Sequence, residues 1–152
     1  MTLAPTTKEH TRPSRQSRSA RRVGYVFAVL FNSAGLCLVN VWPGWGAVPF
    51  LTGDTRQVLG IVNAVVIASL AVNVVYLFTD PRWLVALGGL VTTVLGLIGL
   101  IRIWQVFPFD FGDSSIDWTL LFHIGLVVGI TGSCIAIVVQ LVQLIRALVR
   151  RR

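Results

Sequence analysis

Residues 58–78 read VLGIVNAVVIASLAVNVVYLF. No side chain in this stretch carries a charge, and its apolar residues are not confined to one face. A hydrocarbon layer about 30 Å thick takes roughly 20 residues of helix, which is the length of this run. β-Branched residues are frequent, but the run lacks the alternation of a barrel strand. Inside lipid every backbone N–H and C=O has to be paired within its own segment, so the stretch reads as a transmembrane helix.

Three further stretches read the same way: 23–41 (VGYVFAVLFNSAGLCLVNV), 84–106, which is uncharged until Arg102, and 118–144, which is long enough to tilt or to extend beyond the hydrocarbon. The composition agrees. Of 152 residues 55% are hydrophobic and 12% charged, against about 25% charged in an ordinary soluble domain, and the mean hydropathy is +0.78. Too little polar surface remains to cover a soluble core of this size. The expected fold is an all-α membrane protein with four transmembrane helices, a domain of residues 23–145.

Orientation follows from the cations. With four spans both termini share a side, and that side receives Lys8, Arg12, Arg15, Arg18, Arg21, Arg22, Arg82, Arg146, Arg150, Arg151 and Arg152. The other side receives Arg56 and Arg102. This imbalance places both termini and the 79–83 turn in the cytoplasm of a plasma-membrane protein. Residues 1–22 lack apolar periodicity and read as a disordered basic tail, and residues 146–152 as a second basic end. Arg21-Arg22 before an apolar run resembles the start of a twin-arginine signal, but the run is span-length and has no small-residue cleavage site, so the first span is read as retained. Ala34-Gly35-Leu36-Cys37 departs from a lipoprotein cleavage box at the bulky Leu36.

The loops after the first and third spans repeat each other. Trp45, Pro49, Phe50, Gly53 and Asp54 correspond to Trp104, Pro108, Phe109, Gly112 and Asp113 at a constant offset of 59 residues, with Thr55 matching Ser114. The shared pattern is W-x-x-x-P-F-x-x-G-D-[ST]. Both copies join an outgoing to an ingoing span, so the chain reads as two helical hairpins in the same orientation, a parallel repeat. Each residue type suits an interfacial turn. The Trp rings suit the bilayer interface, the prolines stop the outgoing helices, and the Phe rings can pack the loops onto helix ends. The glycines allow sharp turns, and the aspartates are N-cap candidates. Ser114-x-x-Asp117 reads as a capping box and Asp54-x-x-Gln57 as a looser one. The loops serve either as interfacial turns alone or as one shared surface for a partner or ligand.

Polar groups within the spans are few. None is Asp, Glu or Lys, which argues against proton-coupled carriers and pumps; small four-span multidrug exporters carry an acid in the first span, where this chain has Asn32 and Ser33. Asn32 falls near the midplane, while Asn63, Arg102 and His123 fall toward the outer face with Asn40 and Gln105. These could form one polar layer beneath the loops, with Arg102 paired to Asp110, Asp113 or Asp117; alternatively Arg102 snorkels and each Asn bonds to a neighbouring helix. No second His or Cys accompanies His123 in depth, so no metal, haem or other cofactor is expected. Cys37 and Cys134 differ in depth and are not expected to pair. There is no loop C-x-x-C, as a four-span thiol oxidase needs, and no phosphate loop, zinc motif or nucleophile elbow.

Small residues recur every four positions at Gly60/Ala64/Ala68, Gly88/Thr92/Gly96 and Gly125/Gly129/Ser133. Such stripes let backbones approach in a tight bundle or at a dimer seam. The basic ends suit anionic lipid; with no aromatic residues interleaved, nucleic acid is not an expected partner.

At VWPGWGAVPFLTGDTRQVLGIVN and again at RIWQVFPFDFGDSSIDW, the chain resembles uncharacterised four-span membrane proteins of high-GC Gram-positive bacteria. The resemblance covers roughly residues 24–146 and implies a plasma-membrane location and no particular activity. The residues themselves point to a non-enzymatic protein that acts by association, in a homo-oligomer or with another membrane protein. The alternative is a small oligomeric channel or carrier subunit using Asn32, Asn63, Arg102 and His123. A lipid-directed enzyme using His123 with an outer Asp is a third possibility.

Overall fold

A computed structural model describes residues 16–79, 81–112 and 115–149, with the side chains of residues 16–18 left aside. Four helices make up the architecture: α1 (Gln16–Asn40), α2 (Thr55–Phe78), α3 (Arg82–Val106) and α4 (Trp118–Val149). All four are long and apolar enough to cross a membrane, the architecture of a multi-pass membrane protein.

The ends of the helices follow local chemistry. α2 and α3 begin two or three residues before the expected spans, and α4 runs on to Val149. The larger departure is α1, which starts at Gln16 where residues 16–22 were expected to belong to a disordered tail. Gln, Ala and Arg are good helix formers, and extending an existing span avoids the cost of nucleation. The expected tail up to residue 15 lies outside the described residues, as does the end beyond Val149.

Each helix packs chiefly on its neighbour in sequence, α1 on α2, α2 on α3 and α3 on α4. The α1–α2 seam is marked at three levels. Tyr25 meets Tyr76 at a ring separation of 5.2 Å, Asn32 donates to Ser69 Oγ at 3.3 Å, and Asn40 and Asn63 exchange amide hydrogen bonds of 2.9 and 2.7 Å. Positions 25, 32 and 40 recur about every two helical turns, so they share one face of α1.

The α2–α3 seam is built on small residues. Gly88 lies directly beneath Tyr76 and Val72, and Gly99 faces Val65 and Ile61. The Tyr76 hydroxyl donates toward the carbonyls of Val85 (2.9 Å) and Leu84 (3.3 Å), tying α2 to the first turn of α3. Between α3 and α4, Gly129 receives Leu100, and Gln140 donates to Thr93 Oγ1 at 3.0 Å. The small-residue stripes are therefore only partly used within the chain: Gly88 and Gly129 are packed, while Gly60, Gly96 and Gly125 face open space.

Many large apolar side chains are exposed, among them Phe27, Phe31 and Phe78 of α1 and α2 and Val128, Ile135 and Val138 of α4. In water this surface would be untenable; in a bilayer it is the lipid-facing skin of the helices.

Candidate functional site: a paired loop cap

The two repeated loops meet each other. Leu51 and Phe109 form an antiparallel bridge, with Thr52 N–H donating to the Pro108 carbonyl (3.0 Å) and Asp110 N–H to the Phe50 carbonyl (2.9 Å). Two loops that end in helices thus satisfy part of their backbone through a short ladder at the mouth of the bundle.

The two copies reach this ladder differently. After α1 the chain turns through a cis Trp42–Pro43 bond and Gly44 at φ +82°, whose N–H bonds back to Leu38 (2.9 Å). One 3-10 turn, Trp45–Ala47, follows. The helix therefore stops at Asn40, nine residues before Pro49, so Pro49 is not its terminator as expected. After α3 the chain turns at once: Phe107 adopts a left-handed conformation (φ +42°) as the helix ends, and Pro108 is fully buried. Proline disfavours helical geometry in the residue before it, which is where α3 stops. Pro49 by contrast is exposed. The expected sharp turn at Gly112 is present (φ +59°); in the first loop the left-handed glycine is Gly44, not Gly53.

The expected caps shift as well. Asp54 makes no side-chain cap to the backbone of α2; its carboxylate accepts from Gln57 Nε2 instead (2.9 Å). Asp117 itself is the cap of α4, its Oδ1 accepting from Leu120 N–H at 2.9 Å. That three-residue reach is the ordinary N-cap geometry, three residues later than a box begun at Ser114. Asp113 and Ser114 lie outside the described residues.

Around the ladder runs an aromatic cluster that the sequence reading did not assemble. Phe107 stacks on His123 (4.2 Å between ring centres), whose edge also meets Trp104 at 5.0 Å. Phe107 contacts Phe109 (5.4 Å), Phe109 contacts Phe122 (4.8 Å), and Phe111 contacts Phe122 (4.9 Å) and Phe50 (5.6 Å). Trp118 borders Phe111 at 6.5 Å. Such pairs are each worth about 0.5–1.5 kcal/mol beyond the area they bury. The signal was present as alternation: Phe107, Phe109 and Phe111 recur every second residue, the period of an extended strand. Trp45 belongs to a different contact, with the Arg56 guanidinium 5.7 Å from its ring centre.

The proposed polar layer does not converge. Asn32 bonds to Ala28 and Ser69, Asn63 to Asn40, Arg102 to Gln105 on its own helix (3.4 Å), and His123 through Nδ1 to the Thr119 carbonyl (2.8 Å). Arg102 has no ion pair with Asp110 or Asp117 among the described residues; the Asp110 carboxylate instead accepts from Gly112 N–H at 3.0 Å. The i, i+3 spacing within α3 lets Arg102 and Gln105 satisfy each other locally. Among the described residues no group of three His, Cys, Asp or Glu side chains could hold a metal ion, and both cysteines are free thiols.

What the cap offers is a hollow of about 870 Å³, walled by Phe50, Phe111, Trp118 and Phe122 and edged by Thr52 and Asp110. The Thr52 hydroxyl is buried without a hydrogen-bond partner. The hollow can take an apolar or aromatic group, with a carboxylate at its edge for a cation. Compared with known proteins, the chain matches no family model, no curated protein and no solved structure.

Proposed function

We propose that this chain is a non-enzymatic component of the plasma membrane that works by association, and that the aromatic hollow on its loop cap is the contact surface. The observation that carries this reading is the cap itself: two loops zipped together at Leu51 and Phe109, displaying Phe50, Phe111 and Trp118 where the chain leaves its spans. Aromatic anchors set in a pocket are what concentrate binding energy at protein interfaces. Asp54, Asp110 and Asp117 outnumber Arg56 and Arg102 at this end, a slight acidic excess that favours a partner presenting basic residues among apolar ones. The glycines that face open space, Gly60 and Gly125, add positions where a second helix could approach.

In this account the cap faces outward and the arginine-rich ends face the cytoplasm, in accordance with the distribution of cations along the sequence. The two hairpins are read as parallel repeats, supported by the loop motif and by the pairing of its two copies. A small oligomeric channel or carrier subunit draws no support from the polar residues, because Asn32, Asn63, Arg102 and His123 are engaged in four separate local contacts.

Blue-native electrophoresis of gently solubilised membranes tests the association. The wild-type chain is expected in a species larger than the monomer, and Phe50→Ser/Phe111→Ser is expected to shift it to the monomer, while Asn32→Leu leaves it in place. A monomeric wild type, or a complex indifferent to the cap substitutions, would overturn the proposal.

A further inference from the structure

The opposite end of the bundle carries a second cavity, of about 820 Å³, within the roughly 300–1,000 Å³ of small-molecule sites. Three arginines from three helices line it, Arg21 of α1, Arg82 of α3 and Arg146 of α4, together with Trp83 and Gln140. Within residues 16–149 the sequence gives this end five arginines and one carboxylate, Asp80. Arg82 and Arg146 bring two guanidinium groups from different helices to one hollow, and guanidinium groups match phosphate oxygens in geometry as well as charge.

Gln140 narrows the ligand further. Thr93 Oγ1 donates to the Gly89 carbonyl (2.8 Å), so its lone pair is what accepts the hydrogen bond from Gln140 Nε2. That fixes the orientation of the amide. Its Oε1 is then buried with no partner, an acceptor in need of a donor. The cavity therefore asks for two things at once, a phosphate for the arginines and a hydroxyl or similar donor for Gln140. Gln143 and Tyr76 also border the cavity, the rest of its wall is Pro81, Val85, Ala86, Gly89 and Ala147, and Trp83 at a span end is the residue type that sits at headgroup depth.

We infer that this cavity binds the headgroup of an anionic phospholipid, a phosphodiester bearing a hydroxyl group, as in phosphatidylglycerol. Basic pockets between transmembrane helices hold anionic headgroups in this way. The inference depends on the orientation proposed above only for which leaflet supplies the lipid, and it is independent of the loop cap.

The test uses the full chain in nanodiscs of phosphatidylcholine with minor phosphatidylglycerol, with retained lipid read by native mass spectrometry. Phosphatidylglycerol is expected to be enriched on the protein. Arg82→Gln/Arg146→Gln should reduce that enrichment about tenfold or more, Arg82→Lys/Arg146→Lys should restore much of it, and Arg56→Gln/Arg102→Gln, with the same charge change at the other end, should leave it intact. Phosphatidylmethanol, equal in charge but without a headgroup hydroxyl, should bind about 3- to 10-fold more weakly, and Gln140→Met should erase that difference. Retention in proportion to the bath, or equal losses from the two glutamine pairs, overturns the site. Displacement of the lipid by millimolar inorganic phosphate would assign the arginines to free phosphate and overturn the lipid. A hydroxyl preference that survives Gln140→Met overturns the role of the amide.

Discussion

Leu51 and Phe109 oppose each other across the two loops, and the 59-residue offset makes Phe109 the counterpart of Phe50 and Leu51 the counterpart of Asp110. Exchanging the copies therefore turns the 51–109 pairing into a 110–50 pairing, which belongs to the same register. The ladder reads alike from either loop, as a two-fold relation between the loops would require. The copies differ in their approach, one through Gly44 and a 3-10 turn, the other directly through Phe107.

This pairing can be trapped covalently. Residues opposed in a non-hydrogen-bonded antiparallel pair have Cα atoms about 4.5 Å apart, inside the range a disulfide bridges. In a Cys37→Ser/Cys134→Ser background, Leu51→Cys/Phe109→Cys is expected to oxidise to an intramolecular bond, seen as loss of both maleimide-reactive thiols. Leu51→Cys/Gly112→Cys, three positions out of register, is expected to remain reduced.

The Asn40–Asn63 amide pair holds α1 to α2 near the cap. Removing one partner leaves the other seeking a hydrogen bond, at a cost of about 0.5–2 kcal/mol in a membrane setting. Asn40→Leu and Asn63→Leu should each destabilise the chain by that order. The double variant should lose less than their sum, as measured by reversible unfolding in mixed micelles within a double-mutant cycle.

Gly88 and Gly96 occupy the same stripe but different surroundings. A Cβ at Gly88 would run into the Tyr76 hydroxyl and Val72, whereas at Gly96 it would meet nothing within 4 Å. Gly88→Ala is expected to cost about 1–3 kcal/mol through overpacking and to disturb the Tyr76 bonds to Leu84 and Val85. Gly96→Ala is expected within about 0.5 kcal/mol of wild type. Thermal unfolding of both variants in the same detergent checks the contrast.

The spans were legible because their signal is continuous. Twenty-one uncharged, mostly apolar residues in a row, as at 58–78, admit few other readings, and the helix built there ends at Phe78 as expected. The repeated loops were legible as a motif but not as a pair, since a bridge between residues 51 and 109 leaves no mark within either segment. The polar layer failed for a physical reason. Depth along a span says how high a residue sits and nothing of the direction it faces, so Arg102 and His123 share a level yet turn to Gln105 and to Phe107, respectively. At the other end nothing in the sequence around Gln140 singles it out, and only its packing against Thr93 and Gly89 gives it a role.

The claim that the loop cap is the contact surface is tested most directly by site-specific photocrosslinking in native membranes, with a diazirine amino acid at Phe50 or Phe111 on the cap and at Phe27 or Val128 on the outward faces of the spans. A discrete protein adduct, of constant mass, is expected from the cap positions, and mainly lipid adducts from Phe27 and Val128. Lipid adducts or none from Phe50 and Phe111, with the protein adduct arising from the span positions, would contradict it.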